Sequence, residues 1–166
     1  MGVIQTVEAL LGPTTVTRDD VYREYGKAAQ LAQLIETELG TLLFAHEGIQ
    51  QRAYVLESWE AGRGVLAAID KHTLGKSLHD IKDRYNLLGD IEPVFDTALV
   101  ARNYLAHDFF RKHGVEISSE PGCEAMVADL QRLQAELQVA YRLARDMAEY
   151  LVQEAERLVN EHNSSS

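Results

Sequence analysis

Apolar residues recur at steps of three and four along most of this chain, the spacing that places side chains on one face of an α-helix. Val21, Tyr25, Ala28, Ala29, Ala32, Ile35, Leu39 and Leu42 form the first long run. T-R-D-D, residues 17–20, precedes it; Thr17 can cap a helix and the two aspartates favour the positive end of its dipole. The pattern predicts a helix over residues 18–44. A second stripe, Met126, Leu130, Leu133, Leu137, Ala140, Ala144, Met147 and Leu151, keeps a heptad-like alternation that suits a long core helix. S-S-E-P, residues 118–121, starts that helix, and fraying is expected from residue 154 onward. Between the two stripes, Pro93 sits at a natural first-turn position and Gly114 at a natural stop, which bounds a helix over residues 93–113. The stretch 47–72 reads as a broken helix or two short ones, interrupted by Gly62-Arg63-Gly64. Thr73 caps a short helix over residues 74–85, and an apolar piece over residues 3–11 ends at Gly12-Pro13. The predicted architecture is all-α: one domain over residues 1–166, folded as an antiparallel bundle of four or five helices. An N-terminal segment (residues 1–16), a possible insertion (residues 46–72) and a disordered tail (residues 162–166) complete it.

Composition narrows the picture. A hydrophobic fraction of 46% is enough for a real core, and three prolines with eleven glycines are too few for the regular turns of an all-β protein. The net charge of −10 argues against a broad basic surface that coats nucleic acid, while leaving room for a small local cationic cluster. A lone cysteine, Cys123, precludes a disulfide within one chain and suits a reducing, cytoplasmic setting. No apolar run approaches the length of a membrane span, and the N-terminus makes a poor export signal.

Candidate chemistry concentrates in A-R-N-Y-L-A-H-D-F-F-R-K-H, residues 101–113. On a regular helix Phe95, Leu99, Arg102, Ala106, Phe109 and His113 share one face, which sets an arginine into an apolar seam. A guanidinium there needs a carboxylate, a wet cleft, a partner subunit or an anionic ligand, because it cannot discharge itself. Asp96, Asn103, His107 and Arg111 share the adjoining face, and Arg102 and His107 lie about 140° apart around the axis. Arg102, Asn103, His107 and Arg111 together offer two fixed charges, an amide and an imidazole, parts that can hold a phosphate and move a proton beside it.

At these residues the chain resembles a family. R-N-Y-L-A-H, residues 102–107, looks like the R-x4-H signature of HEPN domains, in which a polar residue commonly follows the arginine, as Asn103 does. A-R-N-Y-L-A-H-D-F-F is similar to a form of the motif in bacterial members. E-Y-G-K-A-A-Q-L-A-Q-L-I-E-T-E-L (residues 24–39) and T-L-G-K-S-L (residues 73–78) look like the companion helices. The resemblance implies a HEPN-like helical fold and a metal-independent endoribonuclease without cofactor, a toxin or antiviral effector. Such a protein acts as a homodimer in which motifs from two subunits meet in one cleft. It further implies His107 as general acid/base, Arg102 as the cation on the scissile phosphate and Asn103 as the group that orients the histidine or the substrate; Arg111, from its place beside them, is read as a substrate contact. RNA is the implied substrate, and an antitoxin or other protein an implied partner. Phe109 departs from members that carry a tyrosine two residues after the histidine, where an antitoxin attaches nucleotide.

Two other readings stand beside this one. In a non-catalytic dimerisation or interaction module of the same fold, Arg102 pairs with a carboxylate such as Asp96 or a glutamate of a second subunit, and His107 is a satisfied core histidine. In a metal-dependent hydrolase, the doublets His79-Asp80 and His107-Asp108 would supply ligands.

Overall fold

The computed structural model describes residues 15–50, Lys76, His79 and residues 91–165. Among them every regular element is helical. Helix α1 is Arg18–Gln50, α2 is Ile91–Asn103, a π-helical turn follows at Tyr104–Asp108, α3 is Phe109–Lys112, a 3-10 turn spans Glu116–Ser118, and α4 is Glu120–Ser164. The π turn and α3 continue the rod begun by α2. The described core is therefore built from three rods, and the all-α class read from the pattern holds. The expected apolar piece at 3–11 lies outside the described residues. So do the stretch 51–72 and most of the helix expected over 74–85, of which Lys76 and His79 are described, both helical and exposed.

The N-terminus of α1 is closed as the T-R-D-D signature predicts. The Thr17 backbone N–H donates to Asp20 Oδ2 at 2.8 Å and its hydroxyl donates to the same oxygen at 2.7 Å, while the Asp20 N–H reaches back to Thr17 Oγ1 at 3.4 Å. Each satisfies a group that the helix itself leaves without a partner. Helix α1 runs beyond residue 44 to Gln50, with Ala45 buried past the expected end. Ser119 caps α4 by accepting from the Gly122 N–H at 3.2 Å. At Gly122 the 3-10 turn approaches so closely that a Cβ would stand 1.9 Å from the Glu116 carbonyl oxygen.

Helices α1 and α4 run parallel, and the α2–α3 rod is antiparallel to both. Arg18 Nε donates to the Ile117 carbonyl at 2.9 Å, Gln134 Nε2 donates to the Glu24 carbonyl and carboxylate at 3.0 and 2.9 Å, and Leu42 lines one cavity with Met147 and Leu151, so neighbours advance along both helices together. Arg102 meets Glu36 while Phe110 meets Tyr22, so there the order reverses. The parallel pair departs from a purely antiparallel bundle. Its seam is apolar: Val21, Ala28, Ile35, Leu39 and Leu42 pack on Met126, Leu130, Leu133, Leu137, Ala140 and Ala144. Glu24 is buried in this seam, and its carboxyl is held below the usual range by hydrogen bonds from Lys27 and then Gln134, which outweigh its desolvation.

Helix α4 stays helical to Ser164, past the fraying expected from residue 154 and into the tail expected from residue 162. Arg157 forks between Glu154 at 2.6 Å and Glu161, one turn to either side, a local support that an apolar stripe does not register.

Candidate functional site

The R-N-Y-L-A-H segment is where the α2–α3 rod stops being a regular helix. The Phe109 N–H bonds to the Tyr104 carbonyl, five residues back, and closes the wide turn. The buried positions here are Phe95, Ala98, Ala101, Leu105, Phe109 and His113. Three successive steps of four would drift off one face of a regular helix; the extra residue in the wide turn absorbs the drift.

This corrects the placement of the seam. Ala101 and Leu105, not Arg102 and Ala106, carry it through the motif, and Ala106 is exposed. Arg102 sits at the edge facing α1, its side chain 29% exposed, with Nη2 3.3 Å from Glu36 Oε1 and Nη1 3.2 Å from Asn103 Oδ1. Its carboxylate partner is Glu36 of α1, not Asp96. Asn103, His107 and Arg111 are all exposed. His107 makes no side-chain hydrogen bond or ion pair among the described residues, so it is no core histidine. Arg111 pairs with Asp108. A turn with one residue more than an α turn changes the angle between positions on either side of it from the value of about 140° that a regular helix gives Arg102 and His107.

The buried histidine is His113. Its side chain is 8% exposed; Nδ1 meets Glu116 Oε2 and Nε2 lies 3.1 Å from Asp129 Oδ2. Tyr104 Oη donates to the same Asp129 oxygen at 2.9 Å and lies 3.3 Å from His113 Nε2. Arg132 closes the group with Nη2 2.7 Å from Asp129 Oδ1. Burial pushes the Tyr104 hydroxyl up to about 12, reinforced by the neighbouring Asp129 carboxylate. Burial also opposes the charge on Asp129, but hydrogen bonds from Arg132, His113 and Tyr104 outweigh it and hold the carboxyl below its usual range. Lys112 stands 5.3 Å above the Tyr104 ring. This cluster joins the π turn, the 3-10 turn and α4. The sequence carried one local signal for it, His113 and Glu116 three residues apart; Asp129 and Tyr104 come from farther along the chain.

Among the described residues no three His, Cys, Asp or Glu side chains gather as a metal site requires. Asp80 of the first His-Asp doublet lies outside the described residues. Among those residues no helix is long and apolar enough to cross a membrane. Comparison of the chain with protein families, with curated proteins and with solved structures finds no match.

Proposed function

We propose that this protein is a metal-independent endoribonuclease of HEPN type that works as a homodimer. The observation that carries the reading is the i→i+5 turn inside R-N-Y-L-A-H, with the Arg102 side chain part-exposed just before it and His107 exposed within it. One carboxylate, Glu36, steadies the guanidinium without sealing it, since both side chains keep about a third of their surface in solvent (29% and 34%). A phosphate can take the remaining donors of the fork.

In the proposed reaction a 2′-hydroxyl attacks the adjacent phosphorus while His107 of one copy accepts its proton. The bond from phosphorus to the 5′-oxygen breaks, and that oxygen takes a proton from the same residue of a second copy. A cyclic phosphate and a 5′-hydroxyl result, and no oxidant or metal is required. Arg102 stabilises the charge that grows on the phosphoryl oxygens, Asn103 orients the histidine or the substrate and accepts a hydrogen bond from Arg102 at 3.2 Å, and Arg111 lends a further cation. Positioned proton transfer contributes about 10²–10⁴-fold in such reactions.

The test is direct. Arg102→Ala and His107→Ala should each lower RNA cleavage by at least about 10²-fold, with native circular dichroism, and wild-type cleavage should persist in EDTA. Variants that cut as fast as wild type would remove the assignment. A second reading, a non-catalytic helical interaction module, is favoured by one observation, the in-chain carboxylate partner of Arg102. Wild-type protein that dimerises but leaves RNA intact decides for it.

A further inference from the structure

The π turn is held from both flanks by tyrosine hydroxyls. On the α1 side, Tyr25 Oη donates to the Leu105 carbonyl at 3.2 Å. On the α4 side, Tyr104 Oη donates to Asp129 Oδ2 at 2.9 Å. Tyr104 is also the residue whose carbonyl accepts the wide-turn bond from Phe109. A π turn is rare and occurs mostly as a single turn set into an α-helix, so contacts that hold it from outside bear on whether it persists. The contacts here are specific. The Tyr25 ring packs on Phe109 and Phe110 with centroids 5.8 and 4.9 Å away, which fixes its hydroxyl over the turn. Asp129 is fixed in turn by Arg132 and His113.

We propose that Tyr25 and Tyr104 are positioning residues. Their hydroxyls clamp the turn between Arg102 and His107 and so set where guanidinium and imidazole stand relative to each other. Without the clamp the wide turn opens more readily, and guanidinium and imidazole are no longer held in one fixed relation to each other. This inference rests on the ribonuclease reading for its functional consequence and on the fold alone for the clamp itself.

Two readouts separate these. Tyr25→Phe and Tyr104→Phe keep the rings and delete only the hydroxyls. Amide exchange at Phe109, whose N–H closes the wide turn, should quicken at least about tenfold in each variant, equivalent to about 1.4 kcal/mol of local protection. Amides of α4 near Ala140 and Ala144 should stay unchanged. On RNA, each variant should lower kcat about tenfold or more with KM within about twofold, the pattern of lost transition-state alignment. In the Arg102→Ala background neither substitution should reduce cleavage further, because the partner to be positioned is gone. Unchanged exchange at Phe109 overturns the clamp whether or not RNA is cut. Quickened exchange with undiminished kcat overturns the positioning role. Absence of wild-type cleavage overturns the positioning role together with the ribonuclease reading, and exchange alone then decides the clamp.

Discussion

Asp129 shows what one buried carboxylate does when three donors converge on it. Arg132, His113 and Tyr104 all reach its two oxygens, and their hydrogen bonds keep its carboxyl below the usual range in spite of burial. The folded state thus binds the Asp129 proton less tightly than the unfolded chain. Stability from this group is present in full above the unfolded value, about pH 4, and is lost as pH falls through the lower folded value. Thermal melts of wild type should therefore decline steeply on acidification below about pH 4. Asp129→Asn should melt lower at pH 7, by about 1–3 kcal/mol of stability, and show a shallower acid decline. An acid profile in the variant as steep as wild type would show that other carboxylates set it. Exposed pairs such as Arg111 with Asp108 contribute little to that profile, since solvent screens them.

At the scale of elements, the two helix starts and the wide turn make a useful contrast. Ser119 caps α4, and Gly122 just inside it lets the 3-10 turn pass at a distance no Cβ permits. Gly122→Ala should force the turn and the helix start apart and lower stability by about 1–3 kcal/mol, read as a shift in denaturant midpoint at constant m-value. Both starts were legible because their determinants are local: T-R-D-D and S-S-E-P place cap and acid within one turn. The long stripes of α1 and α4 were legible for the same reason, down to Ile35, Leu39, Leu130 and Leu137. The seam through R-N-Y-L-A-H was displaced by one residue, because regular 100° steps were assumed where tertiary contacts hold a wider turn. Those contacts join Tyr104 to Asp129 and Tyr25 to Leu105, across 25 and 80 residues of sequence, a range that periodicity does not see. Asn103, His107 and Arg111, grouped on one face from their spacing, are all exposed.

For the molecule as a whole, charge is the constraint that the proposed function must meet. With a net charge of −10, the surface at large repels a polyanion, so RNA can be held only where cations outnumber acids locally. Arg102 and Arg111 are the cations on the motif edge, and Glu36 and Asp108 already engage one each. A homodimer that brings two edges into one cleft offers four arginines, and single-stranded RNA releases counterions in proportion to the phosphates neutralised, with a slope of about −0.7 per contact. The logarithm of affinity should therefore fall against the logarithm of salt concentration with a slope of at most about −3 for the dimer. The measurement is fluorescence anisotropy with a cleavage-resistant 2′-O-methyl strand over a salt series. Replacing Arg111 by Ala removes two contacts from the dimer and should flatten the slope to about −1.5, while Lys27→Ala, a lysine on α1 already engaged by Glu24, should leave it unchanged. A slope of about −6 or steeper would mean that RNA neutralises more cations than the motif edges of two copies supply, and the substrate would then have to be held elsewhere than at the motif edge.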